Sequence, residues 1–240
     1  MKHIQVLDLE LCLSPERAVY IQDLGLLLVA DVHLGKSETF QQAGIPIASQ
    51  VNEQTLARLT QLCHQLNPQE IWILGDLFHA RKGISEGLLQ VWMQFLEGIS
   101  ASVHLILGNH DRALVPLLAP FQLTCYVQPV EFKHLLLSHE PIERSPIPLS
   151  SEQAPPKLNI CGHVHPCLRL QSRLDSLRLP CFHLDRQQHR LVLPSFGEFT
   201  GGYEVTPTDD TVLYAIAEQS IIPFEGCPQP LSKHSSRRRR

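Results

Sequence analysis

No apolar run in the 240-residue chain approaches the roughly 20 residues that a membrane-spanning helix needs. Long stretches such as Leu24 to Ala30 are broken early, here by Gly25. That excludes a helical membrane anchor as the expected mode of action. The opening MKHIQVLDLE lacks the apolar core of a secretory signal, so the cytoplasm is the expected location. No CxxC occurs, and the 7 cysteines are odd in number and scattered. Neither a disulfide frame nor a zinc knuckle is expected, and the thiols read as reduced. Internal repeats are missing, as is any nucleic-acid recognition motif. Acidic residues are absent from 233–240, where Lys233, Arg237, Arg238, Arg239 and Arg240 supply 5 of the 20 basic residues. Without those five the body carries 15 basic against 24 acidic residues, a balance of −9. Such a body binds nucleic acid poorly by charge alone. An arginine tail can contact phosphates, and it also reads as a solvated terminus.

What is present describes a folded domain. Hydrophobic residues make up 43% of the chain and charged residues 18%, the balance of an ordinary globular protein. We expect one domain over 1–227 and a flexible basic tail over 228–240. Strands are expected at 26–30 (LLLVA), 70–74 (EIWIL), 103–107 (VHLIL), 134–138 (HLLLS) and 158–161 (LNIC). Leu56, Leu59, Leu62, Cys63 and Leu66 recur at helical spacing over about 49–66, and Pro68 stops that helix. A second helix is expected over about 85–97, with Ser85 as cap and Gly98 as terminator. Alternating strands and helices indicate a layered α/β architecture. From about 166 onward RLVLP, FTGGYEV and TVLYAIA suggest short strands and an antiparallel end. The Pro- and Ser-rich stretch 141–157 reads as an exposed loop.

The strand ends share one chemistry. After LLLVA comes Asp31-Val32-His33, and after EIWIL comes Gly75-Asp76. After VHLIL comes Gly108-Asn109-His110-Asp111, after HLLLS comes His139, and after LNIC comes Gly162-His163-Val164-His165. Carboxyl ends of strands in an open α/β sheet share the edge where ligands bind. That edge would gather Asp31, His33, Asp76, Asn109, His139, His163 and His165. Imidazole and carboxylate donors together suit manganese, iron, zinc and similar ions, and one carboxylate can bridge two of them. The glycines at 75, 108 and 162 allow close backbone approach. Each motif alone arises by chance; all five in this order, each after a strand, do not. His79 sits in no such pattern.

The set DxH, GD, GNHD, H and GHxH resembles the calcineurin-like metallophosphoesterase superfamily over roughly residues 26–166. The resemblance implies a four-layer α/β/β/α sandwich with mixed sheets and a site for two divalent ions, manganese favoured, with iron, zinc or magnesium as alternatives. It implies Asp31, His33, Asp76 and His165 on one ion and Asp76, Asn109, His139 and His163 on the other, with Asp76 bridging. His110 would stand beside the substrate phosphate as a catalytic residue, with Asp111 orienting it. The activity implied is phosphodiester hydrolysis by a hydroxide bridging the ions. Where many members read GDxxD, this chain reads GDLFH, which leaves the role of His79 open. Lys36, Arg81 and Lys82 follow motif loops and are candidates for contact with a substrate phosphate. The segments ADVHLGKSETFQQAGIPI, LGDLFHARKG and LPSFGEFTGG further resemble the ligase-associated DNA-damage-response endonucleases of the PdeM type. That subfamily implies a DNA substrate and DNA-repair ligase or helicase partners. A small-molecule phosphomonoesterase, a cyclic-nucleotide phosphodiesterase and a non-catalytic scaffold of the same fold remain the alternatives.

Overall fold

The computed structural model describes residues 1–45, 50–143, 156–172, 175–198 and 200–226. The expected tail, most of the 141–157 loop, and the Pro46 and Phe199 positions of two quoted segments lie outside these residues. Three strands that the sequence reading passed over come first: β1 (Lys2–Val6), β2 (Leu9–Ser14) and β3 (Ala18–Ile21) form an antiparallel meander. β3 pairs antiparallel with β4 (Leu26–Val29). β4, β5 (Glu70–Leu74), β6 (Ser102–Ile106) and β7 (Thr124–Tyr126) then run parallel, completing a seven-stranded sheet. The crossovers carry α1 (Lys36–Gln42), α2 (Val51–Leu66) and α3 (Glu86–Glu97). α3 starts where Ser85 Oγ accepts the Leu88 N–H at 3.1 Å and ends at Gly98. α2 ends on Asn67 in the left-handed conformation, directly before Pro68.

The second sheet contains β8 (Val130–Phe132), β9 (Leu135–Leu137), β10 (Leu158–Cys161), β11 (Pro166–Gln171), β12 (Ser176–Asp185), β13 (Arg190–Val192), β14 (Tyr203–Glu204), β15 (Thr211–Ala217) and β16 (Ser220–Glu225). β9, β10 and β13 are parallel, while β11, β12, β15 and β16 pair antiparallel. The expected antiparallel end is therefore present, but β12 is a single ten-residue strand. Of the described residues of the FTGGYEV segment, only Tyr203 and Glu204 form a strand.

Alternate residues of each strand face opposite sides, and both sides of the first sheet are covered. Leu26, Leu28, Trp72 and Leu74 pack against Leu135, Leu137, Leu158, Ile160, Phe182 and Tyr214 of the second sheet. Leu27, Val29, Ile71 and Ile73 pack against Leu56, Leu59 and Leu62 of α2 and Leu88, Trp92 and Phe95 of α3. Burial on both faces is why β4 and β5 read as unbroken apolar runs. The result is the α/β sandwich of two mixed sheets that the resemblance implies. On the outer side of the second sheet Leu168, Cys181, Leu213 and Ala215 form a small cluster. Among the described residues no helix is long and apolar enough to cross a membrane. The six described cysteines are free thiols.

Candidate metal centre

The loops after β4 and β5 are zipped together by their main chains. Asp31 N–H donates to the Gly75 carbonyl at 3.0 Å, His33 N–H to Asp76 at 2.9 Å, and Leu34 N–H to Leu77 at 2.8 Å. The loops after β6, β9 and β10 close around this pair. Five of the seven expected ligands sit at positive φ: Asp31 at 55°, His33 at 52°, Asp76 at 52°, His163 at 68° and His165 at 52°. This conformation costs a non-glycine residue about 1–3 kcal/mol and persists only where surroundings enforce it. Its concentration here marks strain stored in one place. Two glycines make the closeness feasible. Gly75 has φ 84°, and a Cβ there would stand 2.0 Å from His139 Nδ1; a Cβ on Gly108 would meet Asp76 Oδ1 at 2.1 Å.

The side chains converge as the sequence pattern requires. Donor atoms of Asp31, His33 and His165 lie within 4.8 Å of one another, as do those of Asp76, His139 and His163. Asn109 Oδ1 joins the second group, 2.9 Å from His139 Nε2 and 3.1 Å from His163 Nδ1. Main-chain carbonyls fix the ring tautomers. His139 Nδ1–H donates to the Leu74 carbonyl at 3.0 Å, and His165 Nδ1–H donates to the Gly201 carbonyl at 3.1 Å. A carbonyl only accepts, so Nδ1 carries a proton in both rings and Nε2 is the nitrogen turned to the site. His139 Nε2 therefore faces another acceptor, Asn109 Oδ1. His165 Nε2 faces Asp31 Oδ1 at 3.2 Å.

Such confronted lone pairs are the donor set of a cation. Asp31 Oδ1 and His33 Nδ1 are buried with no hydrogen bond, while Asp31 Oδ2 accepts the His163 N–H at 2.8 Å. Burial, reinforced by neighbouring rings, pushes the His33 pKa down to about 2, so the ring is neutral. Burial raises the Asp76 pKa, partly offset by His139. Burial works against charge on His165, but the Asp31 carboxylate outweighs it and the pKa is raised. A field that favours a proton there also favours a cation. The residues present fit a pair of divalent ions.

His110 lies beside this cluster, partly exposed. Its N–H donates to Asp76 Oδ1 at 2.9 Å and its Nδ1–H to the His79 carbonyl at 2.7 Å, leaving Nε2 free, 3.9 Å from Asp76 Oδ2. The resemblance implies that Asp111 orients His110, and the contacts of Asp111 run to the backbone. The Asp111 carboxylate is fully buried and accepts the N–H groups of Phe78 (3.1 Å), Leu77 (3.3 Å) and Gly108 (3.1 Å). It clamps the β5 loop to the β6 loop and orients His110 only through the backbone. The His79 ring stacks on His110 at 5.4 Å, and its Nδ1 is buried without a partner. Lys36 opens α1 close enough to depress the pKa values of His33 and His79 by its charge. Arg81 and Lys82 lie exposed on the turn Arg81–Gly83.

Sequence reasoning missed the segment 194–202 as a support. Ser195 Oγ donates to the Asp31 carbonyl at 2.7 Å, and the Phe196 and Gly197 N–H groups donate to Ala30 and Asp31. Arg17 and Arg58 hold the segment from outside. Arg17 donates to the carbonyls of Ser195 and Gly197, and Arg58 to the Phe196 carbonyl and Glu198. The available signal was PSFGEFTGG itself, a patterned stretch that metal ligation did not explain.

A calcineurin-like phosphoesterase family model matches residues 24–185, and the chain belongs to that family, whose members' fold supports hydrolysis of phosphoester bonds. Among solved structures, the Pseudomonas putida nuclease MPE is 32% identical with a TM-score of 0.75, the match covering 93% of this chain and 99% of that one. The E. coli phosphoesterase Yfce is 18% identical with a TM-score of 0.42, covering 83% and 97%. No curated protein matches the chain.

Proposed function

We propose that the chain is a dinuclear-metal phosphodiesterase that cuts DNA, acting as an endonuclease in DNA repair. The observation that carries this reading is the convergence of Asp31, His33, Asp76, Asn109, His139, His163 and His165 with their lone pairs confronted. Similarity to a nuclease over almost the whole chain supports the choice of nucleic acid as substrate. The subfamily resemblance of ADVHLGKSETFQQAGIPI and LPSFGEFTGG supports the link to repair. Asp31, His33, Asp76 and His165 would hold one ion, and Asp76, Asn109, His139 and His163 the other. Manganese is favoured by the mixed imidazole and carboxylate set. Divalent ions held by these residues would supply Lewis acidity, able to lower the pKa of a bound water toward about 7 and to offset charge on phosphate oxygens.

The residues of the chain do the rest. The Asp76 carboxylate stands with His139 and His163, and in this reading it would be shared between the two ions. His110 Nε2, free because Nδ1–H is committed to the His79 carbonyl, donates to a phosphate oxygen or passes a proton to the leaving oxygen when protonated. Asp111 keeps the GNHD loop in register with Asp76. Lys36 adds positive charge at the rim. The test pairs metal analysis of protein purified without chelator with manganese assays on supercoiled DNA, single-stranded DNA, bis(p-nitrophenyl) phosphate and phosphomonoesters. Two ions per chain and cutting of DNA are expected. Hydrolysis confined to monoesters or small diesters overturns the nuclease assignment; no hydrolysis of any of them leaves a scaffold.

A further inference from the structure

A cavity of about 310 Å3 adjoins the candidate centre and shares His165 with it. Four parts of the chain line it: Arg17 from the β2–β3 turn, Pro166 and Cys167 at the start of β11, Arg178 from β12, and Glu198, Gly201 and Gly202 ahead of β14. We propose that this cavity receives the nucleotide next to the bond being cut in a single strand, with that nucleotide's phosphate on Arg178. The proposal rests on the nuclease reading above.

Charge points to Arg178. The two arginines of the cavity are not equivalent. Arg17 is spent on structure: it donates to the Ser195 and Gly197 carbonyls, lies 3.7 Å from Glu198, and burial lowers its pKa. Arg178 is exposed and its described hydrogen bonds run from Nη2 to the Gly202 carbonyl and to Cys167 Sγ, neither of them charged. Among the described arginines only Arg178 and Arg81 form no ion pair; the rest lie within 4.0 Å of a carboxylate. On a body carrying excess acid, an unpaired guanidinium steadied by a main-chain carbonyl is set up for an anion from outside. Its planar fork matches a phosphate.

Connectivity points to the neighbouring nucleotide. In a polynucleotide the phosphate at the ions is joined through one sugar to the next, so the strand must leave across an adjacent surface. The cavity supplies that surface, because His165 lines it while its Nε2 turns to Asp31. Its volume accepts one nucleotide and not a duplex. The wall is thin where the sugar would pass: a Cβ on Gly201 would meet nothing within 4 Å, whereas one on Gly202 would press on Cys167 Sγ at 2.9 Å. This gives the GG of PSFGEFTGG a role beyond holding His165.

The experiment compares wild type, Arg178→Ala, Arg178→Glu and Arg178→Lys on a single-stranded oligonucleotide and on bis(p-nitrophenyl) phosphate, with manganese throughout. The diester has no neighbouring phosphate. Arg178→Ala is expected to raise KM for the oligonucleotide about tenfold, the size of one charge-assisted contact, with a much smaller change on the diester. Arg178→Glu should exceed it and Arg178→Lys should recover part of the loss. Anisotropy titration with a hydrolysis-resistant phosphorothioate oligonucleotide should show the slope of log affinity against log salt falling by about 0.7 in Arg178→Ala, the loss of one single-strand phosphate contact. Equal effects on both substrates, or unchanged KM and salt slope, overturn the subsite while leaving the nuclease reading intact. A wild type that cleaves the diester but never the oligonucleotide overturns the nuclease reading, and the subsite with it.

Discussion

Gly75→Ala is the sharpest perturbation the structure offers, because one methyl group tests both the fold and the site. The residue holds φ at 84°, and its missing Cβ would stand 2.0 Å from His139 Nδ1 and 2.4 Å from Cγ of the same ring. Leaving that conformation is not free, since the Gly75 carbonyl accepts the Asp31 N–H at 3.0 Å. Alanine in the left-handed region costs about 1–2 kcal/mol. Displacing a 3% exposed ring breaks the Nδ1–H bond to the Leu74 carbonyl, worth about 0.5–1.5 kcal/mol. Forcing a methyl into a packed interior adds about 1–3 kcal/mol. The sum is about 2.5–6.5 kcal/mol. Guanidinium denaturation of chelated protein would read the loss as a lower midpoint. Mass-spectrometric metal analysis would read the second consequence, loss of the ion proposed at Asp76, Asn109, His139 and His163 before the other. An alanine variant with wild-type midpoint, two ions per chain and full turnover would refute the packing argument and the tautomer assignment together.

The other predictions concern single side chains. Asp76→Asn removes the carboxylate proposed to be shared by the two ions, so metal content and turnover on bis(p-nitrophenyl) phosphate should both collapse; retention of two ions would show that Asp76 does not bridge. His110→Ala should keep its metal while turnover falls by about 100-fold or more, and unchanged turnover would remove His110 from the chemistry. Asp111→Asn can keep its one oxygen for the Leu77 and Gly108 N–H groups but then turns its NH2 toward the Phe78 N–H, and should destabilise by about 1–3 kcal/mol in denaturant, a cost that would be absent if Asp111 acted on the His110 ring alone. Burial holds the His79 pKa down, to about 4 against an ordinary 6.5. The unfolded chain therefore takes up this proton first as pH falls below 6.5, and the stability is lost progressively down to about 4. Denaturation midpoints of chelated wild type should drop faster over that window than those of His79→Phe; parallel profiles would sink the assignment.

Much of this molecule is legible in its sequence. β5 and β10 fall on the expected residues, and α3 starts and stops at the expected Ser85 and Gly98. Local chemistry decides these features: both-sided burial makes an unbroken apolar run, and a cap is a side chain one turn from its partner. The candidate ligands were legible for a similar reason, since each follows its strand directly and metal donors must be particular side chains. The meander β1–β3 was not read, because its short runs gain meaning only from the second sheet that covers them. β12 was not read as one strand, because its first half pairs with β11 and its second half with β13 and β15.

What tertiary structure alone decided is which atom of each ring serves the site. The partners that set those tautomers are the carbonyls of Leu74, His79 and Gly201. Every residue has a carbonyl, so no residue type announces the choice. The same holds for Asp111, whose three partners are backbone N–H groups, and for Arg17, which reaches Gly197 across a separation of 180 residues. The sequence by itself determined which side chains stand at the strand ends. The backbone that aims them is common to all residues, and only the folded chain brings it to bear.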